Sequence, residues 1–347
     1  MRVRRADLQD RRDCAAITAF VAASERAQLF HLPQWTRAVE AGCGAPGHYL
    51  VCEQGGELRG LLPLSEIRSP LFGNSMVSAG FGVGGGIVAE DLAAAEALGD
   101  AAWTMARQRG CAGLELRGGM VPPGPWAFTE GVYADFARDL PQGEEAILQS
   151  IKKRQRAEVR RAQGFGLDYS EGTDAGHLAT HFGIYAASVR NLGSPVFPPR
   201  LFKAMAAEFA GDADVLTVSR DGRPLASVFS FYFRNTVFPY WGGGTEESRQ
   251  WRASEAMYYE LMCRASRRGC ARFDFGRSKV GTGAYAFKKN WGFEPRPLTY
   301  AVRTADGSKP RQINPMNPKF RLQVAAWKRL PLPIANRLGP LIARGLG

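Results

Sequence analysis

The stretch Asp274-Phe-Gly-Arg-Ser-Lys-Val-Gly-Thr-Gly-Ala-Tyr-Ala-Phe-Lys-Lys-Asn-Trp-Gly-Phe293 holds the densest set of groups suited to chemistry in this sequence. Its cations are Arg277, Lys279, Lys288 and Lys289, and Asp274 is its sole acid. An apolar alternation, Phe273 and Phe275, stops at Gly276, and Gly281 and Gly283 follow. Glycine lets backbone turn tightly or come close to a ligand. Tyr285, Phe287, Trp291 and Phe293 add rings that seldom stand bare in a loop. The pattern predicts a buried strand ending in a loop that presents cations to an anionic or oxyanionic group. Arg277 and Lys279 suit a phosphate or carboxylate, the arginine bidentately. Asp274 has two open roles: pairing with a cation of the same loop, or general base work. Tyr240 and Trp241 precede three glycines and either stack on a substrate or close the core.

The elements that must carry these residues are legible as a duplication. Val51 and Val218, Gly55 and Gly222, and Leu58 and Leu225 share an offset of 167, as do Phe30 and Phe197. Further on, Arg109-Gly-Cys-Ala112 matches Arg268-Gly-Cys-Ala271 at an offset of 159. Each half predicts a helix, a hairpin, a strand, a glycine-containing loop, a long helix and a last strand. These fall at about 32–42, 48–67, 74–80, 81–90, 91–109 and 112–117, then about 198–210, 214–234, 236–241, 242–252, 253–268 and 271–276. Asp221-Gly222 is a hairpin signal. Mixed strands with packed helices make each half an α/β (α+β) lobe. Residues 1–142 form one lobe, 143–164 a basic connecting helix, 165–305 a second lobe, and 306–347 a basic amphipathic tail. In the connecting helix Ile147, Leu148, Ile151 and Val159 can share one side, against a face of Lys152, Lys153, Arg154, Arg156, Arg160 and Arg161. That face is either simply solvated or a contact for phosphate or nucleic acid.

The chain has 347 residues, 45% hydrophobic and 22% charged, enough for two domains with a sizeable core. A net charge of +12 favours anionic partners or simply keeps the protein soluble. Six scattered cysteines without a CxxC pair, and only four histidines, argue against zinc and for free thiols in the cytosol. The charged N-terminus is not a signal peptide, and no apolar run is long enough to span a bilayer. After Asp306 there are no acids; Lys319–Leu330 predicts a basic amphipathic helix beyond an Asn314–Pro318 linker. The tail suits either peripheral contact with an anionic bilayer at the inner membrane or packing across a lobe or a partner subunit.

With these features in hand, the chain resembles the FemAB family, and most closely the FemAB-like proteins associated with the exosortase/PEP-CTERM system. The resemblance is carried by Ser188–Phe202, Tyr240–Met262 and Phe273–Pro295. It implies two tandem GNAT-like lobes and an acyl or aminoacyl transferase acting on an amine of a cell-envelope acceptor. Its donor would be aminoacyl-tRNA or another anionic acyl carrier. The Phe-Lys pair of the Fem pattern falls on Phe287-Lys288, which implies that Lys288 is the cation stabilising the tetrahedral oxyanion, with Lys289 the adjacent alternative. The resemblance also places Arg190 and Asn191 near the cleft. The chain departs from acetyl-CoA users at the pyrophosphate loop: Arg252 and Ser254 stand where glycines are expected, so ordinary acetyl-CoA is disfavoured. Gly82-Val-Gly-Gly-Gly86 is expected to be flexible and lacks that pattern too. No nucleophile motif is present, so direct transfer is the simplest chemistry. A non-catalytic protein binding RNA or an anionic glycan is the competing reading.

Overall fold

The computed structural model describes residues 1–69, 73–307 and 318–345. Its first half supplies β1 (Arg2–Ala6), α1 (Arg11–Ala23), α2 (Pro33–Cys43), the hairpin β2 (Gly47–Gln54) and β3 (Glu57–Ser69), β4 (Gly73–Ser78), β5 (Val88–Ala89), α3 (Leu92–Gln108) and β6 (Gly113–Arg117). A middle section holds β7 (Ala127–Asp135), β8 (Ala137–Asp139), α4 (Glu144–Ser150) and α5 (Lys153–Gln163). The second half begins with β9 (Asp168–Gly172), α6 (Ala175–Leu192), α7 (Pro199–Glu208), the hairpin β10 (Ala213–Arg220) and β11 (Arg223–Phe233), β12 (Thr236–Gly244) and α8 (Ala253–Arg267). It continues through β13 (Arg272–Asp274), β14 (Ser278–Lys279), α9 (Gly283–Asn290) and β15 (Arg296–Thr304) to α10 (Pro318–Arg329) and α11 (Leu332–Ala343). Of the Asn314–Pro318 linker expected from the sequence, 314–317 lie outside the described residues.

The two halves repeat one another in detail. Gly55-Gly56 and Asp221-Gly222 make two-residue hairpin turns with positive φ at all four positions. A bulge follows Cys52 in one hairpin and Val218 in the other. Turn and bulge superimpose at an offset of 166, one less than the sequence alignment gives. The correction matters because a one-residue slip turns every side chain to the opposite face. The later offset of 159 coincides with the structure. Gly110 and Gly269 both take left-handed φ, and the next amides, Cys111 and Cys270, reach back to Ala106 O and Ala265 O at 2.9 Å. Each half also has one parallel strand pair, β4 with β6 and β12 with β13.

The sheets exchange strands. The larger runs β1-β2-β3-β4-β6-β15-β7-β14 with β5 on β3, and the smaller runs β8-β13-β12-β11-β10-β9. Thus β15, late in the chain, pairs with β6 and β7 in the first sheet, while β8 pairs with β13 in the second. Strand exchange therefore ties the segment before residue 142 to the one after residue 165. Internal similarity marks the repeated units but carries no information about strands added at their edges. The connecting segment is two helices, broken at an extended Ile151. Ile147, Leu148, Ile151 and Val159 are buried, and α5 packs on α8.

The lobes share a core. Trp35 of α2 is fully buried, and its ring lies 5.2–6.4 Å from those of Phe209, Phe231, Tyr240 and Trp241 in the second half. Helices α2 and α7 cross so tightly at Gly42 that a Cβ there would sit 2.5 Å from Leu201 Cα. All six cysteines are free thiols, and all but Cys14 are buried.

Candidate functional site

The site forms where the ladder passes from one sheet to the other. Strands β7 and β8 are one strand interrupted at Phe136, and β13 and β14 run antiparallel beside it. Asp274 lies opposite Ala137, and Ser278 opposite Ala134. Between them the Phe275 amide donates to Phe136 O at 2.8 Å. Asp135 alone therefore faces both Gly276 and Arg277. Two residues against one make a bulge, and Gly276 takes the φ of +63° that it requires.

A bulge leaves carbonyls without ladder partners, and Lys288 meets that need. Its Nζ donates to Phe275 O at 2.6 Å, Gly276 O at 2.9 Å and Arg277 O at 3.0 Å. An ammonium has three protons, and all are committed. The part of the 274–293 stretch expected as a loop is here helix α9, started by Thr282, whose side chain accepts from the Tyr285 amide at 3.3 Å. The helix is held down through Phe287, packed against Tyr258, Phe275 and Trp291, the last fully buried. Lys288 thus ties the strand end through three backbone carbonyls. Burial lowers its pKa to about 8.

The same geometry confines two carboxyls. Asp274 accepts from the Gly276 amide at 2.7 Å, and its pKa is pushed up to about 7, by burial first and by the Asp135 charge second. Burial also raises Asp135. Neighbouring buried carboxyls resist ionising together. The Arg277 guanidinium donates to Tyr300 OH at 2.9 Å and lies 4.8 Å from the centre of the Tyr133 ring. These groups open on a cavity of about 700 Å³ between the lobes, which Arg117, Tyr240, Tyr258 and Tyr300 also line.

The opposite wall is residues 80–86 of the first half. Side chains from both lobes hold its carbonyls: Trp35 on Gly80 O at 3.0 Å, Tyr240 on Phe81 O at 2.6 Å, Arg117 on Gly82 O at 3.0 Å and Tyr300 on Val83 O at 2.9 Å. His31 completes the set. Its Nδ1 accepts from the Gln28 amide, so its Nε2–H donates to Gly86 O at 2.8 Å, and burial keeps the ring neutral with a pKa lowered to about 4. The glycine loop expected to be flexible is pinned, its glycines making room for Phe30, Gln28 and Gly118.

Of the residues singled out by sequence, Asp274, Arg277, Tyr240 and Lys288 meet in this cavity. The structure does not bring the others there. Trp241 is buried in the shared core, where the bulge at Tyr240 sets both rings against Trp35 and Phe231. Tyr285 packs on Phe136, and Phe287 belongs to the core beneath α9. Lys279 stands over Tyr133, and Lys289 is exposed. Arg190 donates to Lys328 O of the tail, and Asn191 faces Glu246. Sequence reasoning missed Asp135, Tyr258 and Tyr300 and gave Arg117 no role. The alternation around Tyr133–Ala137 could have marked a strand, but not its partner.

The two helix starts that follow the paired strands differ. Asp91 caps α3, accepting from the Ala94 amide at 2.8 Å, which places a carboxylate where an anion would bind. The start of α8 has no side-chain cap; Arg252 takes φ +51° there and pairs with Glu158 of α5. A glycine cradle for pyrophosphate is absent from this position.

Residues 149–289 match the acetyltransferase (GNAT) domain family. No curated protein matches the sequence. Among solved structures, FemX is similar with a TM-score of 0.67 at 16% identity, covering 87% of this chain and 97% of FemX. L-PGS from Bacillus licheniformis gives 0.53 at 13%, covering 91% and 97%. A tandem GNAT protein from the clavulanic acid biosynthesis pathway gives 0.54 at 12%, covering 89% and 99%. The domain match and the fold together give two GNAT-like lobes in tandem. More particularly, the chain has the Fem-like form of that fold, as the sequence resemblance implied.

Proposed function

We propose that the protein transfers an acyl or aminoacyl group from an activated anionic carrier, such as aminoacyl-tRNA, to an amine of an envelope-related acceptor. The exosortase-type setting implied by the resemblance belongs to this proposal. The observation that carries it is the Asp274–Asp135 pair in the cleft between the lobes. A carboxyl with a pKa near 7 is poised to take a proton from an ammonium or attacking amine at neutral pH. The amine nitrogen forms a bond to the donor carbonyl carbon, and its proton passes to Asp274. The tetrahedral species then expels the carrier oxygen, which takes a proton in turn. Arg277 and Arg117 supply positive charge along the cleft, and the pinned 80–86 wall fixes its width. The exposed cations Lys153, Arg154, Arg160 and Arg161 of α5 lie beside the start of α8 and suit the phosphates of a bulky donor.

The test is incubation with charged tRNA, or with a panel of acyl-CoA donors, in cell extract, followed by mass spectrometry for new amides. The wild type should form a conjugate that Asp274→Asn does not. No conjugate from any donor, together with co-purified nucleic acid or anionic glycan, would replace transfer with simple binding.

A further inference from the structure

The tail helix α11 is amphipathic in an inverted sense. Its small residues Ala335, Gly339 and Ala343 are buried. The helix sits so close to the segment after α6 that a Cβ on Gly339 would lie 2.9 Å from Val196 N. Its large residues point outward: Ile334 is 47% exposed, Leu338 41% and Leu341 58%. They recur at the spacing of one helix face. Helix α10 continues this surface. It is held to the end of α6 by Trp327 Nε1 donating to Ser194 O at 3.0 Å and by Arg190 donating to Lys328 O at 2.9 Å, and it leaves Leu322 83% exposed.

The charges on this face are all of one sign. Lys328, Arg329, Arg337 and Arg344 are exposed, and the sequence has no acid beyond Asp306. A second copy would set like charges against one another. An anionic bilayer accepts the leucines between its acyl chains and the cations among its headgroups. Among the described residues no helix is long and apolar enough to cross a membrane, so the contact is a lateral one.

We infer that the outer face of α10 and α11 docks the protein on an anionic membrane surface. The test is cosedimentation of the full chain with phosphatidylglycerol–phosphatidylcholine vesicles and with pure phosphatidylcholine vesicles. The wild type should bind the anionic vesicles and lose affinity as salt rises. Leu338→Glu with Leu341→Glu should weaken binding roughly tenfold or more, and Arg337→Ser about fivefold. Both leucines are exposed, so an unchanged thermal midpoint should show that the variants stay folded. The inference is overturned by absent or salt-independent binding, by equal binding to neutral vesicles, or by variants that bind like the wild type. It is equally overturned by a wild-type dimer that Leu338→Glu splits in sedimentation equilibrium.

Discussion

Asp274→Asn should stabilise the protein at alkaline pH while removing its chemistry. The asparagine carbonyl can still accept from the Gly276 amide, now at 2.7 Å from the carboxylate, so the bulge keeps its internal bond. What disappears is an ionisable group whose pKa rises from 3.8 to about 7 on folding. A rise of that size corresponds to about 4 kcal/mol. The folded chain holds the proton to higher pH than the unfolded chain. Between about pH 4 and pH 7 it therefore binds more protons, so stability falls as pH rises, and the deficit is complete above pH 7. Because Asp135 shares the effect, a net gain of about 2–4 kcal/mol is expected for the variant at pH 8, fading to about zero near pH 4. In urea, with a slope of about 3 kcal/mol/M, that gain moves the midpoint by about 1 M at pH 8. Matched urea titrations at the two pH values are the assay. The same shift at both, or none at either, would refute the reading of Asp274 as a carboxyl held protonated by burial.

Three further outcomes follow from the site and the core. Lys288→Met strips three carbonyls of their donor and should cost about 2–4 kcal/mol in chemical denaturation; a fall in turnover with unchanged stability would instead restore the lysine to the oxyanion. Transfer by the wild type should rise with pH through about 7 as Asp274 loses its proton, and a rate independent of pH from 5 to 8 would exclude it as the base. Gly42→Val forces α2 away from Leu201 and should lower stability by about 1–3 kcal/mol in thermal melts, whereas a neutral change would mean that the crossing of α2 and α7 is loose.

The fold was legible wherever local signals decide it. Asp221-Gly222 takes the positive φ values that its types favour, and the buried residues of α4 and α5 are the ones their spacing selects. The Arg-Gly-Cys repeats end equivalent helices because both need a left-handed glycine. The site was less legible because it is assembled by pairing between distant segments. Asp135 and Asp274 are brought together by a ladder that joins residues 133–139 to 272–279. Neither segment announces the other. Lys288 stands out in the sequence as a cation among apolar rings, yet its partners are carbonyls that only the bulge sets free. For Tyr240 and Trp241 the sequence left cleft and core open; both rings pack in the core, and the bulge in β12 leaves Tyr240 at the cavity edge as well.

The strand exchange gives the acid pair its logic. Asp135 ends a strand of the first sheet, and Asp274 ends a strand of the second. Their mutual repulsion therefore depends on how the two sheets meet. The contacts that fix this meeting are the rigid ones: Trp35 among the second half's rings, α2 against α7, and tyrosines 240 and 300 holding the carbonyls of the 80–86 wall. Neither half could build the cleft alone, since the first sheet needs β15 and the second needs β8. Duplication supplied two similar sheets, but the candidate site lies at the asymmetric seam between them.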